Sequence, residues 1–552
     1  MGYLSADPEV VAQHTGFDAW YQSLPAHLSL DGFKSELPVV YVPNDGIPTL
    51  LMKEIDRPNV ELEWNSDVRV LFHNPYFTFD ASLEPTDAVE DVVAAAKSVA
   101  APSARLDSKM PVEPHDRLVN EAGFRPEEPT LFVVPGYHYS ITRPAVAASF
   151  ARSFATIVGH ARPRIEALGV TAALAPFLDG DSDDSFGPLD EMLEGAGIDV
   201  LVASSPLNVQ ELTGFPMGTL RDDVWAIVER DSDEVQVLSR RELPWLAPAE
   251  NRRETDYASR FATIGVIGYE ERDLSVAAAR GFGIDLATAR PATDLLRRWR
   301  ERRSWRDVPY YVVAADVTLR GVMAALQLVT NVLDRGGDVT ELDAYRRYRQ
   351  TVRGIITDES LPIRVESYFT HTHAGNRSLL PARATDFSLK GLTSLKIDAG
   401  LLLYDEFGMY RAVSDITRSV VGSDEGRWLY DLLHQTLVTD AIGSCKPGVT
   451  GEEVFRAGMA ALEPHRNEIV SAGFAPPGPS LTDGFKRDIG HLLGKQEPAT
   501  VGLKLGAAGT LEPGMVGAAE FQWPFRDHCI GVEDVFLVTE GEPVNLTRAT
   551  DG

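Results

Sequence analysis

Residues 394–419, with the sequence SLKIDAGLLLYDEFGMYRAVSDITRS, constrain this chain most, because they read as a β-hairpin with one aspartate, Asp398, after its apolar first strand and another, Asp415, after its turn. An acid at a strand end is often a turn or cap residue, since Asp hydrogen-bonds nearby backbone amides. Two acids at facing strand positions would instead raise each other's pKa unless a cation lies between them. The hairpin therefore predicts either structural turn residues or part of a metal site.

The overall charge and the cysteine count narrow the class of protein. The 552 residues include 52 Lys and Arg against 81 Asp and Glu, which gives a formal net charge of −29. Nucleic acids and anionic lipids are bound through clustered Lys and Arg, whereas this chain has an excess of acidic residues. We therefore expect no nucleic-acid partner and no membrane partner. We also expect no secretory leader and no apolar run of membrane-spanning length. Two cysteines, Cys445 and Cys529, are too few for a disulfide framework and favour a reduced cytoplasm.

Two similar segments suggest an internal duplication. Residues 7–17 and 197–215 both end in Thr-Gly-Phe, and a strand-turn-strand pattern follows each of them. In this interpretation the first copy has lost its leading strand. An Asp-Gly turn predicts that residues 38–52 form a hairpin, and residues 87–101 and 143–168 have helical patterns. We expect three domains: an extra N-terminal α/β unit that reads as a degenerate repeat (1–180), a second α/β domain (185–305) and a C-terminal domain (306–552).

Three later residues are candidate partners for the two aspartates. His491 follows an Ile-Gly pair, Glu520 follows a strand, and Glu533 begins the last long strand. Each lies at the edge of a β-type run, so all five side chains can converge on one face of a sheet. Alone, each has a structural explanation as a core His, a strand-end Glu or a solvated acid. Together they form a set of oxygen and imidazole ligands that suits a divalent metal ion.

The five residues stand in the contexts IDAG, SDITR, GH, PGM…E and GVED…LVTE, in that order. This pattern resembles the M24 family of pita-bread metallohydrolases, which includes methionine aminopeptidase, aminopeptidase P, prolidase and creatinase. KPGVTGEEV is similar to a helix start of that family, where Thr450 and Glu453 form a capping box. The likeness covers about residues 190–552. It implies an α+β fold: a C-terminal pita-bread domain preceded by a creatinase-type α/β N-terminal domain and an extra, duplicated unit.

The resemblance also implies a dinuclear metal centre. Asp398 would chelate one ion, while Asp415 and Glu533 would bridge both. His491 and Glu520 would complete the second ion, and Glu520 would also act as the catalytic group that moves a proton. The two divalent ions would be Mn, Co, Fe or Zn.

Other positions match the family less closely. His371 and His373 lie where the family has a substrate-side His, and as a catalytic pair two residues apart on a strand they would face the same way toward an oxyanion. Alternatively, both histidines are polar residues on an exposed face of the strand. The peptide-cleaving members carry a second His before Glu-Pro, where this chain has Lys495 and Gln496. They also carry Arg two residues before the last Glu, where this chain has Gly531.

The hairpin between the aspartates is also longer than in the family. The turn over residues 401–414 is therefore our candidate for a specificity element. Its side chains and one later histidine are the candidate substrate-binding residues: Tyr404, Tyr410, Arg411 and His528.

Four functions remain open at this point. We place first a metal-dependent hydrolase that cleaves a C–N bond in a small polar substrate, because the second His and the Arg of the peptide-cleaving members are replaced in this chain. An Xaa-Pro dipeptidase or aminopeptidase comes second, a metal-dependent lyase third, and an inactive binding module fourth. Relatives of the creatinase type also imply a homodimer.

Overall fold

A computed structural model describes residues 2–6, 8–16, 39–53, 67–73, 88–127, 136–178, 186–216, 224–243, 264–379, 384–391, 394–475, 477–485, 487–493, 502–526 and 528–548. These residues separate into two compact units. The N-terminal unit contains the described residues up to 152 and those from 186 to 299. The C-terminal unit contains residues 153–178 and the described residues from 300 onward.

Within the described residues, the first sheet of the N-terminal unit has six strands: β1 (Tyr3–Ser5), β2 (Val39–Val42), β3 (Thr49–Lys53), β4 (Arg69–His73), β5 (Arg105–Leu106) and β6 (Arg125–Pro126). Their order across the sheet is β4-β3-β2-β1-β5-β6. The helices beside this sheet are α1 (Pro8–Thr15), α2 (Ala88–Val99) and α3 (Val112–Ala122). Strands β2 and β3 pair antiparallel, which confirms the hairpin predicted for residues 38–52.

The second sheet, counted over the same part of the chain, also has six strands: β7 (Tyr137–Thr142), β8 (Val200–Ala203), β9 (Val224–Glu229), β10 (Glu234–Ser239), β11 (Ile267–Tyr269) and β12 (Arg290–Pro291). Their order is β12-β11-β8-β9-β10-β7. The helices of this stretch are α4 (Arg143–Ala151), α5 (Phe154–Leu168), α6 (Thr171–Leu174), α7 (Gly187–Ala196), α8 (Pro206–Thr213), α9 (Val276–Gly281) and α10 (Thr293–Arg303). Helices α5 and α6 belong to the C-terminal unit.

Both sheets share the order and directions of five neighbouring strands. These are β3-β2-β1-β5-β6 in the first sheet and β10-β9-β8-β11-β12 in the second. The leading strands of the two copies are β1 and β8, and the helices that follow them, α1 and α8, end alike. Thr15 and Thr213 each donate a 2.7 Å hydrogen bond to the carbonyl four residues earlier. The next residues, Gly16 and Gly214, have φ values of 66° and 69°. This shared topology favours the duplication.

The leading strand of the first copy is present. β1 pairs with both β2 and β5, as β8 pairs with β9 and β11. The expectation that the first copy has lost this strand is therefore wrong. Three residues are too few to show the alternation by which a strand is recognised in a sequence.

The two copies meet through equivalent segments. Pro111 and Ser275, which are the N-caps of α3 and α9, form an antiparallel bridge. The amide of Val112 donates to the carbonyl of Leu274 over 3.3 Å, and a 3.4 Å bond runs in reverse from the residue after Ser275 to the residue before Pro111. Reciprocal bonds of this kind occur at every antiparallel bridge, and here they join the same position of the two copies, the N-cap of the helix that follows β5 or β11.

Strand pairing also bears on the domain boundaries. β7 pairs with β10 along its whole length, although residues 137–142 fall within the expected 1–180 unit. The division into residues 1–180, 185–305 and 306–552 remains a prediction. The pairing favours a first boundary that lies before Tyr137.

Two sheets build the C-terminal unit over its described residues: β13 (Ile363–Ala374), β14 (Ser394–Asp405) and β15 (Tyr410–Val421), then β16 (Gly490–Leu492), β17 (Val516–Phe525), β18 (His528–Leu537) and β19 (Val544–Asn545). Besides α5 and α6, the unit contains α11 (Val308–Asp334), α12 (Glu341–Asp358), α13 (Asp424–Thr436), α14 (Gly451–Leu462), α15 (Arg466–Ser471) and α16 (Leu481–Gly484). The Ser419 hydroxyl of β15 donates to the carbonyl of Gly531 in β18 and accepts from its amide, over 2.9 and 3.0 Å. The two sheets therefore lie side by side.

The hairpin that carries the two aspartates is almost entirely strand. β14 ends at Asp405 and β15 begins at Tyr410, so the turn covers only residues 406–409, with Gly408 at a φ of 83°. The long turn expected over residues 401–414 is wrong, because its additional residues extend the two strands. Asp398 and Asp415 also lie inside their strands and not at strand ends.

Helix α11 supports this hairpin from one side. The hydroxyls of Thr318 and Ser414 hydrogen-bond over 2.6 Å, which joins α11 to β15. With 27 residues and a mean hydropathy of 1.6 over its most apolar window, α11 is long and apolar enough to cross a membrane. The expectation that no apolar run approaches this length is therefore wrong. Because 67% of that window is buried within the fold, packing accounts for its apolar composition.

Helix α14 begins at the predicted capping box. The Thr450 hydroxyl accepts from the amide of Glu453 over 3.2 Å, and the Glu453 carboxylate accepts from the amide of Thr450 over 2.8 Å. These bonds use two amides that the first turn of a helix leaves without helical partners. Helices α13 and α14 then pack Leu429, Val454 and Phe455 into a core that includes Phe521 of β17.

Candidate metal centre

Strand register places three predicted site residues on one face of the first C-terminal sheet. His371 lies opposite Asp398, which lies opposite Thr417, and Gly400 lies opposite Asp415. Directly opposed residues of antiparallel strands point to the same face, and so do alternate residues of one strand. His371, Asp398 and Asp415 therefore share a face.

The second sheet contributes the other three. Glu520 lies directly opposite Glu533, and His491 lies opposite Ala518, two residues before Glu520. The same alternation places these side chains on one face. Thr417 of β15 donates its hydroxyl to Glu533 Oε2 over 3.0 Å, which connects the two faces.

Three of the predicted ligands converge tightly. One ligand atom each from Asp415, His491 and Glu533 lies within 4.8 Å of the others, and all three residues are buried. Donors that sit about 2.0–2.2 Å from an ion can be at most roughly 4.4 Å apart. The spacing therefore fits one divalent ion, with only a small adjustment of the side chains.

The orientation of His491 agrees with a ligand role. Its Nδ1 lies 3.1 Å from the carbonyl of Leu492, so a proton on Nδ1 is donated to the backbone. This bond fixes the tautomer in which Nε2 carries the lone pair. Two carboxylates and one imidazole suit the borderline metals Mn, Co, Fe and Zn.

Asp398 and Glu520 are buried beside this cluster and contact other polar groups. Asp398 Oδ2 lies 3.8 Å from Lys396 Nζ, and Glu520 Oε2 accepts from the side-chain amide of Gln522 over 2.7 Å. Their predicted role as additional metal ligands remains a prediction.

His371 and His373 lie on one face of β13, with ring centroids 5.9 Å apart. Burial lowers the pKa of His373, and a hydrogen bond and the charge of Glu341 oppose that shift. Its Nδ1 is 3.8 Å from Glu341 Oε2. Burial would raise the pKa of Glu341, but bonds and charges from His373 and Arg377 hold that pKa below its ordinary value. His373 therefore belongs to a polar network with Glu341 and Arg377, while His371 lies opposite Asp398 in β14.

The candidate substrate-binding residues make contacts of a structural kind. Arg411 is fully buried and donates to Asp307 over 2.7 Å and to Asp405 over 3.0 Å. The Tyr404 hydroxyl donates to Glu366 over 3.3 Å, and Tyr410 is fully buried. Their substrate role stays a prediction, and these bonds give it no support.

His528 is also buried, with its ring 5.2 Å from that of Phe525. Its predicted contact with substrate is likewise untested. Lys495 and Gln496, which stand where the family has a second His, lie outside the described residues.

Four polar residues near the centre were missed in the sequence. Lys396 precedes Asp398 by two residues, so strand alternation alone places both on one face. Thr417 and Gln522 hold Glu533 and Glu520, but their roles depend on strand register. Burial lowers the pKa of Arg487, and the charges of Asp488 and Glu520 oppose that shift, which places a second cation close to Glu520. These residues surround the carboxylates with directed polar groups.

The fold and this centre define a metallohydrolase-type domain. The model of metallopeptidase family M24 matches residues 313–540, which make up most of the C-terminal domain. This confirms the resemblance and the pita-bread fold inferred from the sequence. The chain is 27% identical over 228 residues to an uncharacterised peptidase, YqhT, of Bacillus subtilis strain 168, a match that covers 40% of this chain and 60% of that relative.

Solved structures are similar in fold over a larger part of the chain. A prolidase from Pyrococcus horikoshii OT3 matches with 20% identity and a TM-score of 0.50, over 66% of this chain and 99% of that one. An X-prolyl aminopeptidase from Caenorhabditis elegans, described as a cytosolic enzyme with a di-nuclear active site, matches with 13% identity and a TM-score of 0.54. That match covers 99% of this chain and 86% of the other, so it includes the additional N-terminal unit.

Proposed function

We propose that this chain is a divalent-metal-dependent hydrolase that cleaves a C–N bond in short peptides. The observation that carries the proposal is the buried cluster of Asp415, His491 and Glu533, which fits one ion. The match of residues 313–540 to the model of metallopeptidase family M24 supports hydrolysis of a peptide bond. The peptidase, prolidase and aminopeptidase functions of the similar proteins move short peptides ahead of the small polar substrate favoured by the sequence alone.

The residues have separate tasks in this proposal. A divalent ion, when bound, supplies Lewis-acid polarisation of the scissile carbonyl and a water nucleophile at neutral pH. Asp415, His491 and Glu533 would hold this ion, and Thr417 orients Glu533. Glu520, directly opposite Glu533, would accept the proton that the attacking water loses and pass it to the leaving amine. His371, opposite Asp398, donates toward the oxyanion on the substrate side.

We also propose that the complete centre holds two ions, with Asp398 as a ligand of the second. Elemental analysis of purified protein should then find close to two Mn, Co, Fe or Zn ions per chain. One ion per chain would leave the three-residue cluster as the whole site. A folded protein that binds no ion would contradict the hydrolase proposal and would favour an inactive binding module.

A small polar substrate is the second candidate. Lys396 lies beside Asp398 and hydrogen-bonds Gln522, so a buried cation borders the centre. A substrate with its own carboxylate suits such a border. A cytoplasmic location and a homodimer are further proposals, and light scattering of the purified chain measures the second of them.

A substrate panel distinguishes these candidates. It contains Xaa-Pro dipeptides, other dipeptides, small amides, amidines and sulfonium acids, tested with metal-loaded protein. Asp415→Asn is the inactive variant, and Asp424→Asn, an exposed acid at the start of α13, is the matched control. Turnover of dipeptides supports the first proposal. Turnover of amides or amidines alone supports the second, and elimination from sulfonium acids would identify a lyase.

A further inference from the structure

Lys396 is a buried cation at the edge of the metal centre. It is 4% exposed and lies two residues before Asp398 on the same face of β14. Its Nζ is 3.8 Å from Asp398 Oδ2 and donates to Gln522 Oε1 over 2.7 Å. The ammonium therefore connects β14 of one sheet to β17 of the other.

Gln522 connects Lys396 to a second carboxylate, that of Glu520. Its side-chain oxygen accepts from Lys396, and its side-chain nitrogen donates to Glu520 Oε2 over 2.7 Å. Because the ammonium only donates and the carboxylate accepts, these two partners fix which end of the amide faces each. A single path thus runs from Asp398 through Lys396 and Gln522 to Glu520.

Gly531 provides the space for this path. It lies opposite Gln522 in β18, and a Cβ built on it would be 2.9 Å from Lys396 Cδ and 2.6 Å from Thr417 Cγ2. Both distances are shorter than carbon atoms tolerate, so a side chain at this position would displace the lysine stem. Glycine is needed here because the stem of Lys396 crosses β18 at this residue.

The carboxylates around Lys396 explain why a cation is needed at this position. Asp398 and Glu520 lie next to Asp415 and Glu533, so four carboxylates are gathered in a buried region. Neighbouring carboxylates repel one another unless cations or hydrogen bonds hold them. Lys396 attracts Asp398 directly and orients Glu520 through Gln522.

We propose that Lys396, in the space left by Gly531, is a positioning residue of the metal centre. It holds Asp398 directly, and Glu520 through Gln522, in the orientations that let them support the ion bound by Asp415, His491 and Glu533. This inference rests on the proposed metal-dependent function. It adds a specific task for three residues, Lys396, Gln522 and Gly531, that lie outside the predicted ligand set.

The first test removes the ammonium and keeps the packing. Lys396→Met retains an unbranched stem over Gly531, and Lys446→Met, which removes an exposed lysine paired with Glu542, is the control. Metal-free protein is titrated with Co²⁺ and followed by visible absorbance, which reports binding without turnover. We expect Lys396→Met to bind Co²⁺ about 10- to 100-fold more weakly, as for other groups that orient metal ligands. Unchanged affinity in a folded variant would overturn the inference.

The second test moves the cation from β14 to β18. All proteins carry Thr417→Ser, which keeps the hydroxyl for Glu533 and removes the methyl group that a Cβ at residue 531 would meet. Lys396→Ala, Gly531→Lys and the double variant are then compared. We expect each single variant to lose about 10- to 100-fold in Co²⁺ affinity and the double variant to recover to within about tenfold of its background.

The outcomes separate the two proposals. A double variant that binds no better than its weaker single parent contradicts the positioning role, even when the wild type binds Co²⁺ and turns over substrate. A folded wild-type protein that binds no Co²⁺ contradicts the proposed function and this inference together. Circular dichroism and thermal unfolding of each variant identify any loss of affinity that arises from misfolding.

Discussion

The two ends of the β14–β15 hairpin hold buried charges in opposite ways. Near the turn, Arg411 lies between Asp307 and Asp405, and Arg306 approaches Asp307 within 3.7 Å, so two guanidinium groups match two carboxylates. Beside this group, the Tyr310 hydroxyl lies 3.3 Å from the Arg411 guanidinium. The charges near the turn are therefore balanced within the protein.

The other end of the hairpin is not balanced in this way. Asp398 and Asp415 lie beside Glu520 and Glu533. Among the described residues, three cations lie close to these four carboxylates, namely Lys396, Arg487 and Arg418, and Arg418 is itself paired with Asp534. The same pair of strands thus carries a charge cluster that stabilises the fold and a carboxylate-rich cluster that is suited to bind a cation. Buried charge indicates function where the local charges do not cancel.

The largest expected effect is at the carboxylate-rich end. Asp415→Asn removes one of the three converging ligands, and we expect kcat/KM to fall by about 1,000-fold or more, because Lewis-acid stabilisation contributes several kcal/mol. Metal content should fall by at least one ion per chain. The metal-free variant should unfold at the same temperature as metal-free wild type or a higher one, since repulsion among the carboxylates is reduced. Full metal content in this variant would show that the ligand assignment is wrong.

The balanced end should respond in stability and not in metal content. Arg411→Met leaves Asp307 and Asp405 buried without their main cation, and we expect a loss of about 3–5 kcal/mol in the free energy of unfolding. Denaturant titration measures this loss. Arg456→Met, which breaks an exposed pair with Glu452 on α14, is the control and should leave the stability nearly unchanged, because solvent screens exposed ion pairs. If Arg411→Met lost its metal while still folded, the two ends would not be independent.

Removal of the metal tests the same contrast without a mutation. A ligand present at 100 times its Kd stabilises the state that binds it by about 2.7 kcal/mol. A chelator should therefore lower the unfolding temperature of the wild type and of Arg411→Met alike. It should have a smaller effect on Asp415→Asn. An equal shift in all three proteins would mean that the stabilising ion binds elsewhere.

The capping residue Thr450 shows how much stability a single interaction away from the metal centre contributes. Thr450→Ala removes the hydroxyl that accepts from Glu453 at the start of α14, and the loss should be about 1 kcal/mol with no change in metal content. Thr450→Ser, which keeps the hydroxyl, should retain most of the stability. A loss of metal in Thr450→Ala would indicate that metal binding depends on the packing of α14. It would weaken the comparison between the two ends of the hairpin.

The sequence was informative where a residue type and its local spacing carry the signal. The capping box needs only Thr450 and Glu453, and strand alternation is enough to relate His371 to His373. The short turn was missed because the apolar residues 401–404 continue the strand, and the order Asp405, then Gly408, was read as part of a longer loop. A positive φ at Gly408 closes the hairpin within four residues.

Other features depend on contacts between distant residues. The partner of Arg411 is Asp307, 104 positions earlier, and no local pattern connects them. The task of Gly531 becomes visible only when the stem of Lys396 is seen to cross it. Both depend on how neighbouring strands and helices are placed, and such placement is fixed by the whole core.

The reciprocal bridge between Pro111 and Ser275 has a consequence for assembly. A contact in which two like surfaces use the same patch against each other is isologous, and it closes upon itself. Here both surfaces are parts of one polypeptide, so their effective concentration is set by the connecting chain and not by the amount of protein. This contact should therefore persist on dilution, when an equivalent pair of separate chains would come apart.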